Sequence, residues 1–158
     1  IYHHFQSKDG LFAAVAQEVS QEVLVLATAA MNAQEDPWRR FTAGLDAVLD
    51  ACLLPHVRAV YNQAAVVMGL DAWRALEEQQ SDQLMRGAMQ ALMELGVLPR
   101  WDVDILIPMA KGAIIEAAMG ITRSPTPELA RPEAGAALHA MLDGLRNHQP
   151  PRHARSQP

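Results

Sequence analysis

The sequence is poor in several features that define protein classes, and each shortage narrows what it can be. It has one cysteine, Cys52, in 158 residues, which excludes a disulfide framework or a four-cysteine zinc site and fits a reducing compartment. Positive charge is scarce, with 13 Lys and Arg against 18 Asp and Glu and a balance of −5. A net-acidic chain binds nucleic acid poorly unless its cations gather at one end. The longest apolar run, Val23 to Met31, is broken by Thr28 and falls far short of the roughly 20 residues that span a bilayer. No basic-then-apolar start resembles a signal peptide. Sustained strand alternation is missing too, and β-branched residues are scattered rather than clustered. What is present is apolar bulk, 50% of all residues, enough for the core of one domain, or of one domain with a small appendage. The composition reads as a soluble, cytoplasmic globular protein without a membrane partner.

Glycine and proline punctuate a series of helices. Ser7 is an N-cap with Asp9 in the first turn, and Phe12, Val15, Ala16, Val19, Val23, Leu26 and Ala30 keep helical spacing to about residue 33. Asp36-Pro37 is a second start, proline standing at the first helical position. A stripe of Trp38, Phe41, Leu45, Val48, Leu49 and Cys52 follows. Pro55 opens a third helix, closed by Gly69. Asp71 reads as the cap of a long fourth helix that stops at Gly96. The fifth, from about Asp102 to Thr122, is apolar nearly all round and so buried on two sides, with Pro108 expected to bend or break its ladder. The last helix is expected to start near Pro132. Residues 148–158 read as a disordered tail. The fold class is all-α.

The chain opens mid-pattern at Ile1-Tyr2-His3-His4-Phe5, with no start Met and no cap before it, and reads as cut from a longer chain. Ile1 to Phe12, with Tyr2, His4, Phe5, Ser7, Lys8 and Leu11 at set spacing, resembles the TetR family of bacterial transcriptional regulators. It is similar to the end of the recognition helix, the turn after it and the start of the next helix. Gly10 stands where that pattern has a second acidic residue. The helix succession, including Val66-Val67-Met68-Gly69 and then Trp73, is also similar. The resemblance implies residues 1–12 as the end of a helix-turn-helix DNA-binding domain and 13–147 as a helical ligand-binding and dimerisation domain. It further implies a homodimer on a palindromic operator, released when a small molecule fills the helical core. Tyr2, His3, His4 and Lys8 then become the DNA contacts. Their phenol, imidazole and ammonium groups beside a helix N-terminus suit phosphate, positioning the protein without reading bases.

Eight methionines invite a ligand reading, because methionine adapts to varied apolar partners. Met85, Met89 and Met93 recur every four residues. With Met68, Met109 and the aromatics Trp38, Phe41, Tyr61 and Trp101 they form the expected ligand wall. Asn62 is its expected polar group, with Gln63, His56 and Arg86 behind it. Gly112, Ile115, Glu116 and Met119 of the fifth helix, and Leu138, Met141 and Leu142 of the last, form the expected dimer seam, with Lys111 and Glu116 at its rim. The bland counterparts are ordinary core filling and a monomeric bundle.

Neighbouring His3 and His4 point about 100° apart on a helix and share one ion poorly, so no metal site is expected, and no cofactor. Asp46, Asp50, Glu77 and Glu78 read as solvated, Cys52 as a small buried hydrophobe, and no nucleophile–base pair marks an enzyme. The reading is a ligand-responsive, DNA-binding repressor whose effector is apolar or amphipathic. The alternative is an all-α small-molecule carrier with no DNA role.

Overall fold

In the computed structural model, which describes residues 7–150, the chain is all-α. Six helices follow in order: α1 (Lys8–Asn32), α2 (Pro37–Ala51), α3 (Pro55–Val67), α4 (Leu70–Glu94), α5 (Val103–Arg123) and α6 (Pro127–Asn147). Local chemistry sets most of the boundaries. Ser7 Oγ accepts from the Gly10 N–H at 3.0 Å and starts α1; Asp36 Oδ1 accepts from the Arg39 N–H at 2.8 Å and starts α2, with Pro37 behind it. Both satisfy an otherwise orphaned N–H of the first turn.

Two boundaries differ from the sequence expectation. The N-cap of α4 is Gly69 rather than Asp71, which lies inside the first turn. Gly69 has φ of +83°, a conformation that costs glycine little and other residues much, so one residue both ends α3 and admits α4. The last helix starts at Pro127, not Pro132. Pro127 takes the first helical position, where its missing N–H removes no bond. Pro132 is tolerated inside α6 because the carbonyl it leaves unbonded belongs to exposed Glu128 in the first turn, where water reaches it. The same reasoning explains why α5 runs unbroken through Pro108: the affected carbonyl is that of exposed Asp104. At Gly96 the end of α4 is as expected. Gly96 has φ of +70°, its N–H donates to Met93 O and the Val97 N–H to Leu92 O, the two bonds of a Schellman cap.

α1 packs most extensively on α2 and also on α3 and α4, while α5 pairs with α6 and closes the bundle against α2, α3 and α4. Leu49, Cys52, Val57, Ile107 and Ile121, all 0–1% exposed, mark the centre of the core. By length and composition α1 and α5 could each cross a membrane, but here both contribute buried faces to this core. α2 is locked to α6 by charge. Arg131 Nε donates to Asp50 Oδ1 at 2.7 Å, Arg131 Nη2 to Asp46 Oδ1 at 3.0 Å, and His139 Nε2 lies 3.1 Å from the same Asp46 carboxylate. Asp46 and Asp50, expected to be solvated only, thus serve as anchors for α6.

Candidate ligand site

Between α1, α2, α4 and α5 lies a cavity of about 110 Å³. Its apolar wall comes from Val23, Leu24 and Ala27 of α1, Phe41, Leu45 and Val48 of α2, Leu84, Met85 and Ala88 of α4, and Ile114 and Ile115 of α5. Met31 enters it because Gly44 has no side chain: a Cβ there would sit 2.6 Å from Met31 Cγ. A larger groove of about 360 Å³ adjoins it and shares Met31, Phe41, Leu84 and Ala88.

Polar groups gather on one part of this wall: Ser20, Tyr61, Glu77, Gln80, Ser81 and Lys111. The Ser20 hydroxyl donates to Glu77 Oε1 at 2.6 Å. The Ser81 hydroxyl turns back on its own helix and donates to the Glu77 carbonyl at 2.8 Å. Lys111 is 7% exposed, with Nζ 3.5 Å from Asp82 Oδ1. Asp82 is also approached by Arg86 Nε at 3.7 Å, while Arg86 Nη1 binds Asp104 at 2.9 Å. Glu77 has no ion-pair partner within 4.0 Å among the described residues. Burial therefore pushes its carboxyl above the ordinary value of 4.5, against the opposing pull of the Ser20 hydroxyl and the Lys111 charge. The Tyr61 phenol is raised as well, first by burial and then by the charge of Glu77. Its ring stands edge-on to Trp73, centroids 5.0 Å apart, which fixes its direction. Below this layer the Cys52 thiol is pushed up to about 12, burial being the first cause, so it stays a neutral small hydrophobe.

Residues 38–145 of this helical array match the family described as tetracyclin repressor-like, C-terminal domain. The chain belongs to the TetR family. Its backbone is similar to the crystal structure of a TetR-family transcriptional regulator from Pectobacterium atrosepticum, with a TM-score of 0.83 and 27% identity. That match covers 94% of this chain and 77% of the other. No curated protein matches. The chain is accordingly a transcriptional regulator, and the resemblance in Ile1 to Phe12 and the match over 38–145 point independently to the same family.

Of the ten residues expected to meet a ligand in this TetR-family chain, Phe41, Tyr61 and Met85 line the cavity. The other seven lie elsewhere. Trp38 leans on Phe41, ring centroids 5.9 Å apart, and carries the Arg146 guanidinium 5.0 Å above its own ring. Asn62 Nδ2 donates to the Thr122 carbonyl at 2.9 Å and stitches α3 to α5. Trp101 Nε1 donates to the Leu145 carbonyl at 3.0 Å. Met89 is 1% exposed within the core, and Met68 and Met93 pack against it. Met109 points outward, 65% exposed. The methionine ladder of α4 fails to form one wall because a four-residue step overshoots a 3.6-residue turn, so Met85, Met89 and Met93 rotate progressively off the cavity.

The expected dimer seam divides similarly. Gly112, Glu116 and Met141 are exposed on the outer surface, whereas Ile115 lines the cavity and Met119, Leu138 and Leu142 are buried within the protomer. Lys111, placed at the rim by its charge, is buried instead, because it follows Ile107 and precedes Ile114 and Ala118 on the inward stripe of α5. Lys8 is exposed as the first residue of α1. Tyr2, His3 and His4 lie outside the described residues. Glu77 was expected in solvent, and its signal was spacing: Trp73, Glu77, Ser81, Leu84 and Ala88 repeat at helical intervals, which puts the carboxylate on the apolar stripe. Among the described residues no group of three metal-ligating side chains converges.

Proposed function

We propose that this chain is the effector-binding and dimerising part of a ligand-responsive repressor acting in the cytoplasm. The observation that carries the reading is the double duty of α1. Ser20, Val23, Leu24, Ala27 and Met31 of this helix line the cavity, and Lys8 begins it. Ser20 and Lys8 are about 18 Å apart along the helix axis. An occupant that pushes on the far end of α1 moves Lys8, one of the residues expected on DNA phosphates. The effector switches the protein only if it binds the operator-free arrangement more tightly than the operator-bound one.

The homodimer is supported by an outward apolar face on α5 and α6. Ile105 is 61% exposed, Met109 65%, Leu129 68% and Met141 59%. A Cβ added at Gly112 or Gly120 would meet nothing within 4 Å, so a partner helix can approach closely there. Met109, expected at a ligand, belongs to this face together with Gly112, Glu116 and Met141.

The test is a gel shift of the full gene product on DNA upstream of its own gene, at stated salt, with the chain from Ile1 as control. Specific retardation by the full product alone supports the regulator. No retardation at low salt by a folded dimer counts against repression at that DNA.

A further inference from the structure

We propose that the effector of this protein is a lipophilic cation, an aryl or alkyl amine whose ammonium meets Glu77 while its apolar part fills the cavity. The inference rests on the cavity being the effector site and adds the chemical class. A carboxylate taken from water into an apolar wall loses far more solvation than one hydrogen bond returns. Glu77 receives one such bond, from Ser20 at 2.6 Å, and has no ion-pair partner within 4.0 Å among the described residues. An arriving ammonium supplies the missing partner at a part-buried carboxylate, where a charge pair is screened less than in open water.

Lys111 also lines the cavity, and its charge argues for an anion unless it is already engaged. Its Nζ lies toward Asp82 at 3.5 Å, and Asp82 and Asp104 are in turn held by Arg86. In this cluster the carboxylates of Glu77, Asp82 and Asp104 face the cations of Lys111 and Arg86. The Asp82 and Asp104 charges are paired with these cations, whereas Glu77 has only the longer-range pull of Lys111. Phe41 and Tyr61 add aromatic rings to the wall, and the face of such a ring attracts a cation.

Size agrees with a small aromatic amine. The cavity holds about 110 Å³, of the order of the roughly 150 Å³ core cavity that admits benzene. A longer apolar tail has room in the adjoining groove, past Met31 and Leu84.

Calorimetric titration of the full chain at neutral pH and fixed salt tests this with phenylbutylamine, phenylbutanol and phenylbutanoate, which share one apolar part and differ in charge. The amine is expected to bind about tenfold or more tighter than the other two, the increment of one charge-assisted bond. Glu77→Gln, which keeps an acceptor for Ser20, is expected to bring the amine down to the alcohol's affinity and leave the alcohol unchanged. Equal binding of amine and alcohol, tightest binding of the carboxylate, or an amine preference that survives in Glu77→Gln each overturns the cationic class while leaving the cavity as a ligand site. Failure of all three compounds to bind removes the cavity reading as well.

Discussion

Ser20 on α1 and Glu77 on α4 meet across the cavity through a 2.6 Å hydrogen bond, the hydroxyl donating to Oε1. The contact couples the helix that starts at Lys8 to the one charged group of the cavity wall that lacks an ion pair among the described residues. Anything that changes the charge of Glu77 or displaces Ser20 acts directly on α1.

The stability of the protein should therefore carry the titration of Glu77. Burial raises the folded carboxyl above its ordinary value of 4.5, so the folded chain holds this proton more tightly than the unfolded chain. That stabilisation is complete below 4.5 and is lost as pH climbs through the folded value. The other titratable groups facing it are the Tyr61 phenol and the Cys52 thiol, both raised, and Lys111. Glu77→Gln is expected to melt higher than the parent at neutral pH, with the gap closing as the solution is acidified. Thermal melts of both proteins across this range check it. A variant that melts lower at neutral pH shows the carboxylate to be stabilising and contradicts the burial argument.

Gly44 controls the shape of the cavity through Met31. Gly44→Ala sets a methyl group where Met31 Cγ and Sδ now lie, and the flexible methionine must swing away. Helix propensity favours alanine by up to about 1 kcal/mol, which offsets the repacking, so urea unfolding should change little. Ligand affinity is expected to fall several-fold. Unchanged affinity for a ligand that binds the parent cavity would remove Met31 from its wall.

The outward face of α5 and α6, proposed as the dimer seam, can be tested with charge. Met109→Asp with Met141→Asp places two charges on side chains 65% and 59% exposed in the protomer, so the fold is expected to survive with a loss of about 1 kcal/mol or less. In a dimer seam the same charges are desolvated without partners. Sedimentation is expected to give a dimer for the parent and a folded monomer for the variant. A variant that remains dimeric assigns the seam to another surface.

Most of the fold was legible because its punctuation is chemical: Ser7, Asp36-Pro37, Pro55 and Gly96 each do at a helix end what their side chains or backbone freedom favour. The start of α6 was not, because two prolines five residues apart are each compatible with a first turn, and only packing shows that the helix continues through Pro132. Phe41, Tyr61 and Met85 were legible as cavity wall from their type and spacing. Glu77 and Lys111 were not, because charge alone assigns a side chain to solvent. Their positions on the apolar stripes of α4 and α5 carried the opposite signal, and within the bundle the stripe outweighed the charge. Met89 and Met109 show the converse, since a methionine suits a core or an outer apolar face as readily as a ligand wall.

Coupling between the cavity and DNA is tested by retardation of upstream DNA by the full gene product while a cavity-binding ligand, identified by calorimetry, is titrated in at constant salt. DNA is expected to be released over the concentrations that fill the cavity, and Gly44→Ala, by weakening the ligand, is expected to move release to higher concentration. DNA that stays bound with the cavity saturated would contradict it.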